Sequence, residues 1–120
     1  MSTALEPAVR PTSVELRTPS TLRNAALLPV MCELPVEAIR SCQVAASVEV
    51  DGVQVTVGRG AAGAEGRSVA RRLAVPVELT DLGRELVTRD GGATLVVEAV
   101  VQGADHGSYS AVAPLHVAAR

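Results

Sequence analysis

The chain has 120 residues, a formal net charge of −2 and 48% hydrophobic residues, yet it contains no Trp, no Phe and a single tyrosine, Tyr109. That length suits one domain with a real core, which must be built from Val, Leu and Ala. The basic residues are all Arg; the lack of a basic stripe and of stacking rings argues against nucleic acid and carbohydrate partners, and no apolar run reaches the roughly 18 residues of a membrane span.

Residues 1–11, with Pro7, Pro11 and little periodicity, read as an extended arm or linker ahead of a domain at residues 12–119. The opening residues lack the basic region and apolar block of a secretion signal, so an exported protein would carry its signal outside this chain. The first strand is expected at residues 12–17, with Val14 and Leu16 on one face. The second spans residues 26–32, with Leu28, Val30 and Cys32 on one face, and Pro29 inside it calls for an edge or a bulge.

The strongest local signal follows. Cys42, Val44, Ala46, Val48 and Val50 alternate with polar or small residues, Asp51-Gly52 intervenes, and Val53, Val55 and Val57 resume the alternation. Period-two patterning on both sides of Asp-Gly predicts an antiparallel hairpin, because Gly tolerates the positive φ of a tight primed turn.

Gly58-Arg59-Gly60-Ala61-Ala62-Gly63 then matches the glycine spacing of a dinucleotide-binding turn, and Glu78 falls where a ribose-binding carboxylate would stand. Against a cofactor site count Gly66, the lack of a helical stripe, Pro76 in what would be a central parallel strand, and a preceding strand already committed to a hairpin. The run is read as a flexible loop, and no cofactor is expected.

Residues 68–79 form the fifth expected strand, with Val69, Leu73, Val75, Val77 and Leu79 on one side. Thr80 or Asp81 can cap a short helical turn near residues 80–87, in which Leu82 and Leu86 lie one turn apart. After a turn at residues 89–92, the sixth strand (93–102) places Leu95, Val97, Ala99 and Val101 inward, and the seventh (109–118) does so with Leu115 and Val117. Val96, Val100 and Val112 fall on the opposite face. They are either scattered surface valines or a partner surface, covered by the N-terminal arm or by another protein. The expected fold is all-β: an immunoglobulin-like Greek-key sandwich of about seven antiparallel strands with one short helical turn.

Candidate chemistry is sparse. Cys32 and Cys42, separated by nine intervening residues at the end of one strand and the start of the next, share the inward phase. They are expected to form a disulfide between opposite sheets, worth about 2–3 kcal/mol for so short a loop; the alternative is two buried thiols. Asp105, His106 and Ser108 lie in a glycine-containing loop that is a poor platform for a triad and reads as a solvated turn. Two histidines without a Cys-x-x-Cys make no zinc set, and Asp81, Asp90 and Asp105 are too scattered for a calcium loop. No catalytic or metal site is expected.

Taken together, residues 28–32, 39–44, 72–79, 82–86 and 93–101, with the spaced pair Cys32 and Cys42 and the Leu79-Thr80 to Gly83-Arg84 turn, resemble the small immunoglobulin-like modules in surface and secreted proteins of high-GC bacteria. The resemblance covers residues 12–118 and implies a sandwich with a scaffolding or adhesive role. The expected function is therefore a non-enzymatic structural or adhesive module at the cell surface or outside the cell, meeting a protein partner or copies of itself. A particle subunit, such as a virion decoration or tail protein, is the alternative, and nucleotide binding through Gly58, Gly60 and Gly63 a more distant one.

Overall fold

The computed structural model describes residues 14–35, 37–64 and 71–119, so the arm at residues 1–11 and Val69 lie outside the described residues. Strong alternation has become strand nearly everywhere: β1 (Glu15–Arg17), β2 (Thr21–Leu22), β3 (Leu27–Glu33), β4 (Ile39–Val50), β5 (Val53–Gly63), β6 (Arg72–Leu79), β7 (Ala93–Gly103) and β8 (Ser108–Ala119), with the helix α1 (Asp81–Thr88) between β6 and β7. The hydrogen-bonded order is β1-β3-β6-β5-β4-β7-β8-β2. Every pairing is antiparallel except that of β2 with β8.

The pairing of β5 with β6 is confined to Gly58 opposite Leu79 and Arg59 opposite Glu78. At this seam the sheet folds over, giving a β1-β3-β6 layer and a β5-β4-β7-β8 layer that face each other. The protein is an immunoglobulin-like β-sandwich. Eight strands replace the expected seven, because the two-residue β2 is too short to show a period.

Between the layers lie Leu28, Val30, Val75 and Val77 from one side and Val44, Ala46, Leu95, Val97, Ala99 and Val101 from the other, all buried. No polar or charged side chain among the described residues is buried with them. Each buried Val or Leu contributes roughly 1.5–3 kcal/mol by leaving water, and the small side chains keep the layers close. Asp51 (φ 52°) and Gly52 (φ 81°) make the expected primed turn.

The prolines sit where no ladder needs their missing N–H. In β3 the Leu34 N–H bonds to Arg71 on the β6 side, so alternation turns odd positions, including Pro29, the other way. There β1 pairs only with residues 31–33, and Thr18 caps the Pro29 carbonyl at 2.9 Å. On the same reasoning Pro114 points beyond β8, because Ala118 N–H already turns outward to Ser20. Pro76 is the consequential one. Leu79 N–H points to Ala26 in the β3 direction, so Pro76, two residues before Glu78, faces β5 with no donor to offer, and the pairing goes no further than Glu78.

The glycine run corrects the loop expectation. Residues 58–63 are the second half of β5, in register with β4 from Ala46 opposite Gly58 to Ser41 opposite Gly63. A bulge at Val57 precedes them, and both Val57 and Gly58 are buried. Gly60 is a steric requirement, since a Cβ there would collide with the carbonyl oxygen of Pro76. The glycines admit the facing strand, and their backbone is committed to a ladder where a phosphate cradle would need free N–H groups.

Thr80 caps α1, its hydroxyl accepting from Gly83 N–H at 3.2 Å, so the helix starts at Asp81 and ends at Thr88. Val87 is buried and Leu82 and Leu86 half-buried, closing one end of the sandwich. Gly60→Val should lower stability by about 2–3 kcal/mol through overpacking at the seam, read as a fall in the urea midpoint. Ala61→Val, on the exposed side of the same strand, should leave the midpoint nearly unchanged; equal midpoints for both variants would contradict the seam.

Candidate functional site

Three places carry chemistry: the outer face of the β5-β4-β7-β8 layer, the sulfur pair within the core, and the β7–β8 turn. On the outer face the register sets side chains in rows. Arg59, Ala45, Glu98 and Val112 form one row across β5, β4, β7 and β8. Ala61, Gln43, Val100 and Ser110 form the next, and Thr56, Ser47, Val96 and Pro114 the one on the other side. Val96, Val100 and Val112, expected as a partner surface, are thus brought onto one face around Glu98. Val112 is 62% exposed and Val100 39%, while Val96 is half-buried. A shallow groove of about 520 Å³ runs over this face, lined by Gln43, Ala45, Arg59, Ala61, Glu98 and Val100 among others.

Cys32 on β3 and Cys42 on β4 meet across the two layers with their sulfurs 2.7 Å apart, both fully buried and both thiols in the structure. Their shared hydrogen bond holds Cys32 below the ordinary thiol value and Cys42 above it, and burial raises both. One side ionises with difficulty and the other is stabilised by its neighbour. Two sulfurs so placed can do little but exchange a proton or join.

At the same end of the sandwich the loop at residues 104–107 is more ordered than a solvated turn. Glu37, just before β4, accepts the Asp105 N–H at 2.8 Å and the Tyr109 hydroxyl at 2.5 Å. Asp105 in turn accepts the Gly107 N–H at 2.7 Å, and this bond, followed by the contact with Glu37, holds its carboxyl below the usual carboxylate range. His106, in the left-handed region at φ 72°, meets Arg40 through Nδ1 at 3.0 Å. Arg40 is itself the extra residue of a bulge in β4 against β7. Glu37 was missed by sequence reasoning, because a lone carboxylate in a loop has no local signal and its partners lie 68 and 72 residues away. Ser108 takes no part with His106 in a triad; its hydroxyl is 3.4 Å from the Gln102 amide.

No protein-family model and no curated protein matches the chain. Solved structures do. A superoxide reductase (neelaredoxin) from Ignicoccus hospitalis is similar at 14% identity and a TM-score of 0.50, over 88% of this chain and 80% of that one. Murine CRIg is similar at 14% identity and a TM-score of 0.45, over 89% and 98%. Spo0M, a sporulation control protein from Bacillus subtilis, follows at 12% and 0.38, over 93% of this chain and 51% of its own length. At such identities the likeness concerns fold alone. Among the described residues no three His, Cys, Asp or Glu side chains converge as metal ligands.

His116 on β8 is exposed and bridges Gly91 O at 2.7 Å and the Thr94 hydroxyl at 3.2 Å. It steadies the turn before β7.

The chain's single tyrosine makes the Glu37 cluster measurable. The Tyr109 phenol is pushed up from 10.0 to about 12, chiefly by its hydrogen bond to Glu37 and then by burial and the Asp105 charge. Its raised value means that its share of stability is complete below pH 10 and fades as pH rises through about 12. Phenolate absorbance of the folded protein should titrate near the upper value, and Glu37→Gln should bring it back toward the lower one. An unshifted midpoint in the wild-type protein would contradict the contact.

Proposed function

We propose that the protein is a non-enzymatic structural or adhesive immunoglobulin-like module that docks protein onto the outer face of its β5-β4-β7-β8 layer, at a cell surface or outside the cell. The observation that carries this reading is the composition of that face. Its rows are mostly Ala, Val, Ser, Thr, Gln and Pro, with Glu49, Arg59 and Glu98 as charged residues, His116 opposite Thr94, and Arg40 at the start of β4 turned to His106. A solvated sheet face normally carries alternating charges that blunt association. Depletion of charge around exposed Val is the pattern of an interface core.

The sulfur pair supports the setting. Two thiols at bonding range in a sandwich without aromatic filling gain most by joining, and bridges persist in oxidising compartments. Intact mass without reductant should then be lower by two hydrogen atoms than after reduction, and reduction should lower stability by about 2–3 kcal/mol. A fully reduced mass after exposure to air would remove the bridge from this reading.

Docking itself is tested with labelled full chain on intact high-GC bacteria. Binding should be saturable, be lost after protease treatment of the cells, and weaken about tenfold with Val112→Glu, which buries an unpaired charge in the contact. Equal binding by the variant and the wild-type chain would overturn the docking role of this face.

A further inference from the structure

We propose that the occupant of the outer face is a second copy of this chain, docked face to face about a two-fold axis lying along β4, with Arg59 of each copy against the partner's Glu98. The inference rests on the docking role of that face and names what docks there.

Arg59 and Glu98 lie in one row on either side of Ala45, two strand spacings and therefore about 10 Å apart. Among the described residues neither is within ion-pair distance of an opposite charge, although Glu78 is the register neighbour of Arg59 across the seam. An isologous interface must be complementary to itself. A positive, a neutral and a negative position in sequence across a central strand meet that condition for one axis only. Rotation about β4 sets Arg59 over the partner's Glu98, and Glu98 over its Arg59. Rotation about an axis crossing the strands sets each charge over its own kind, which is repulsive.

The neighbouring rows agree. About the β4 axis Ala61 exchanges with Val100 and Thr56 with Val96, placing small against larger side chains, while Gln43 meets Gln43 and Ala45 meets Ala45. An Ala at the crossing point lets two layers approach the roughly 10 Å spacing of stacked sheets. About that axis β5, β4 and β7 overlap their counterparts and β8 lies at the rim; three strands of 11 or 12 residues span roughly 14 by 36 Å, about 500 Å² per copy. That is below the ~800 Å² per partner of a standard interface and suits a weak, reversible dimer with a dissociation constant on the order of micromolar or above.

Sedimentation of the full chain over a concentration series tests this. The expected result is a reversible monomer–dimer equilibrium that weakens with added salt. Arg59→Glu and Glu98→Arg should each weaken the dimer about tenfold or more, and the double variant should return to within about threefold of the wild-type chain. A dimer indifferent to the single reversals, or one not recovered in the double variant, overturns the pairing. A monomer at every concentration does so too, and two further readings then separate the causes. If cell binding is still lost with Val112→Glu, the pairing alone fails and a different protein is the occupant; if cell binding is indifferent to that change, the docking role fails as well. If Val100 and Val112 in the monomer are shielded from hydroxyl radicals, the face belongs to residues 1–11 of the same chain, and the pairing is again overturned.

Discussion

The architecture depends on a hydrogen-bond ladder that is made to stop. β5 and β6 pair at Gly58 and Arg59 and no further. Pro76 turns an N–H-less nitrogen to β5 at the next hydrogen-bonding position, and Gly60 lets its carbonyl lie where a side chain would otherwise stand. The strands stay close but unbonded beyond that point, so one sheet becomes two facing layers. Everything buried between Leu28 and Val97 follows from the fold at this seam.

A core of methyl-bearing side chains has consequences for what the molecule can do. No polar or charged side chain is buried among the described residues, and the buried sulfurs of Cys32 and Cys42 bond to each other. The titratable groups with shifted equilibria lie at one end, where Glu37 ties the β7–β8 turn to the start of β4 and the sulfurs join the layers nearby. These groups already serve one another. Glu37 accepts from both Asp105 and Tyr109, and the shift of each partner is accounted for by contacts within the cluster.

The sequence made the strands legible where alternation was long and the turn chemistry local: β4, Asp51-Gly52, β5 as far as Val57, β7 and the Thr80 cap could be read directly. Reading failed where the deciding partner was distant. The glycines at 58–63 carry a loop-like composition, and only the carbonyl of Pro76 on another strand explains why small residues are needed in a paired one. β2 owes its strand character to pairing of its two residues with the end of β8, far along the chain. The candidate surface at Val96, Val100 and Val112 was legible because period two assigns faces without knowing the fold. Its rows were not, since Arg59 and Ala45 join it only through registers on either side of β4.

Those rows are also what remains once the other surfaces are accounted for. One end of the sandwich is closed by α1, with Val87 buried beneath it, and the other by the Glu37 cluster. The outer side of β3 and β6 bears Pro29, Pro76, Glu33, Arg72 and Glu78, a mixture of prolines and charges that resists lateral pairing. Among the described residues only the β5-β4-β7-β8 face combines length, few charges and exposed valines, and its two central charges are opposite in sign and flank a methyl group. Small side chains at the middle of the face with opposed charges on either side are self-complementary about β4, which is the condition a contact between two copies has to meet.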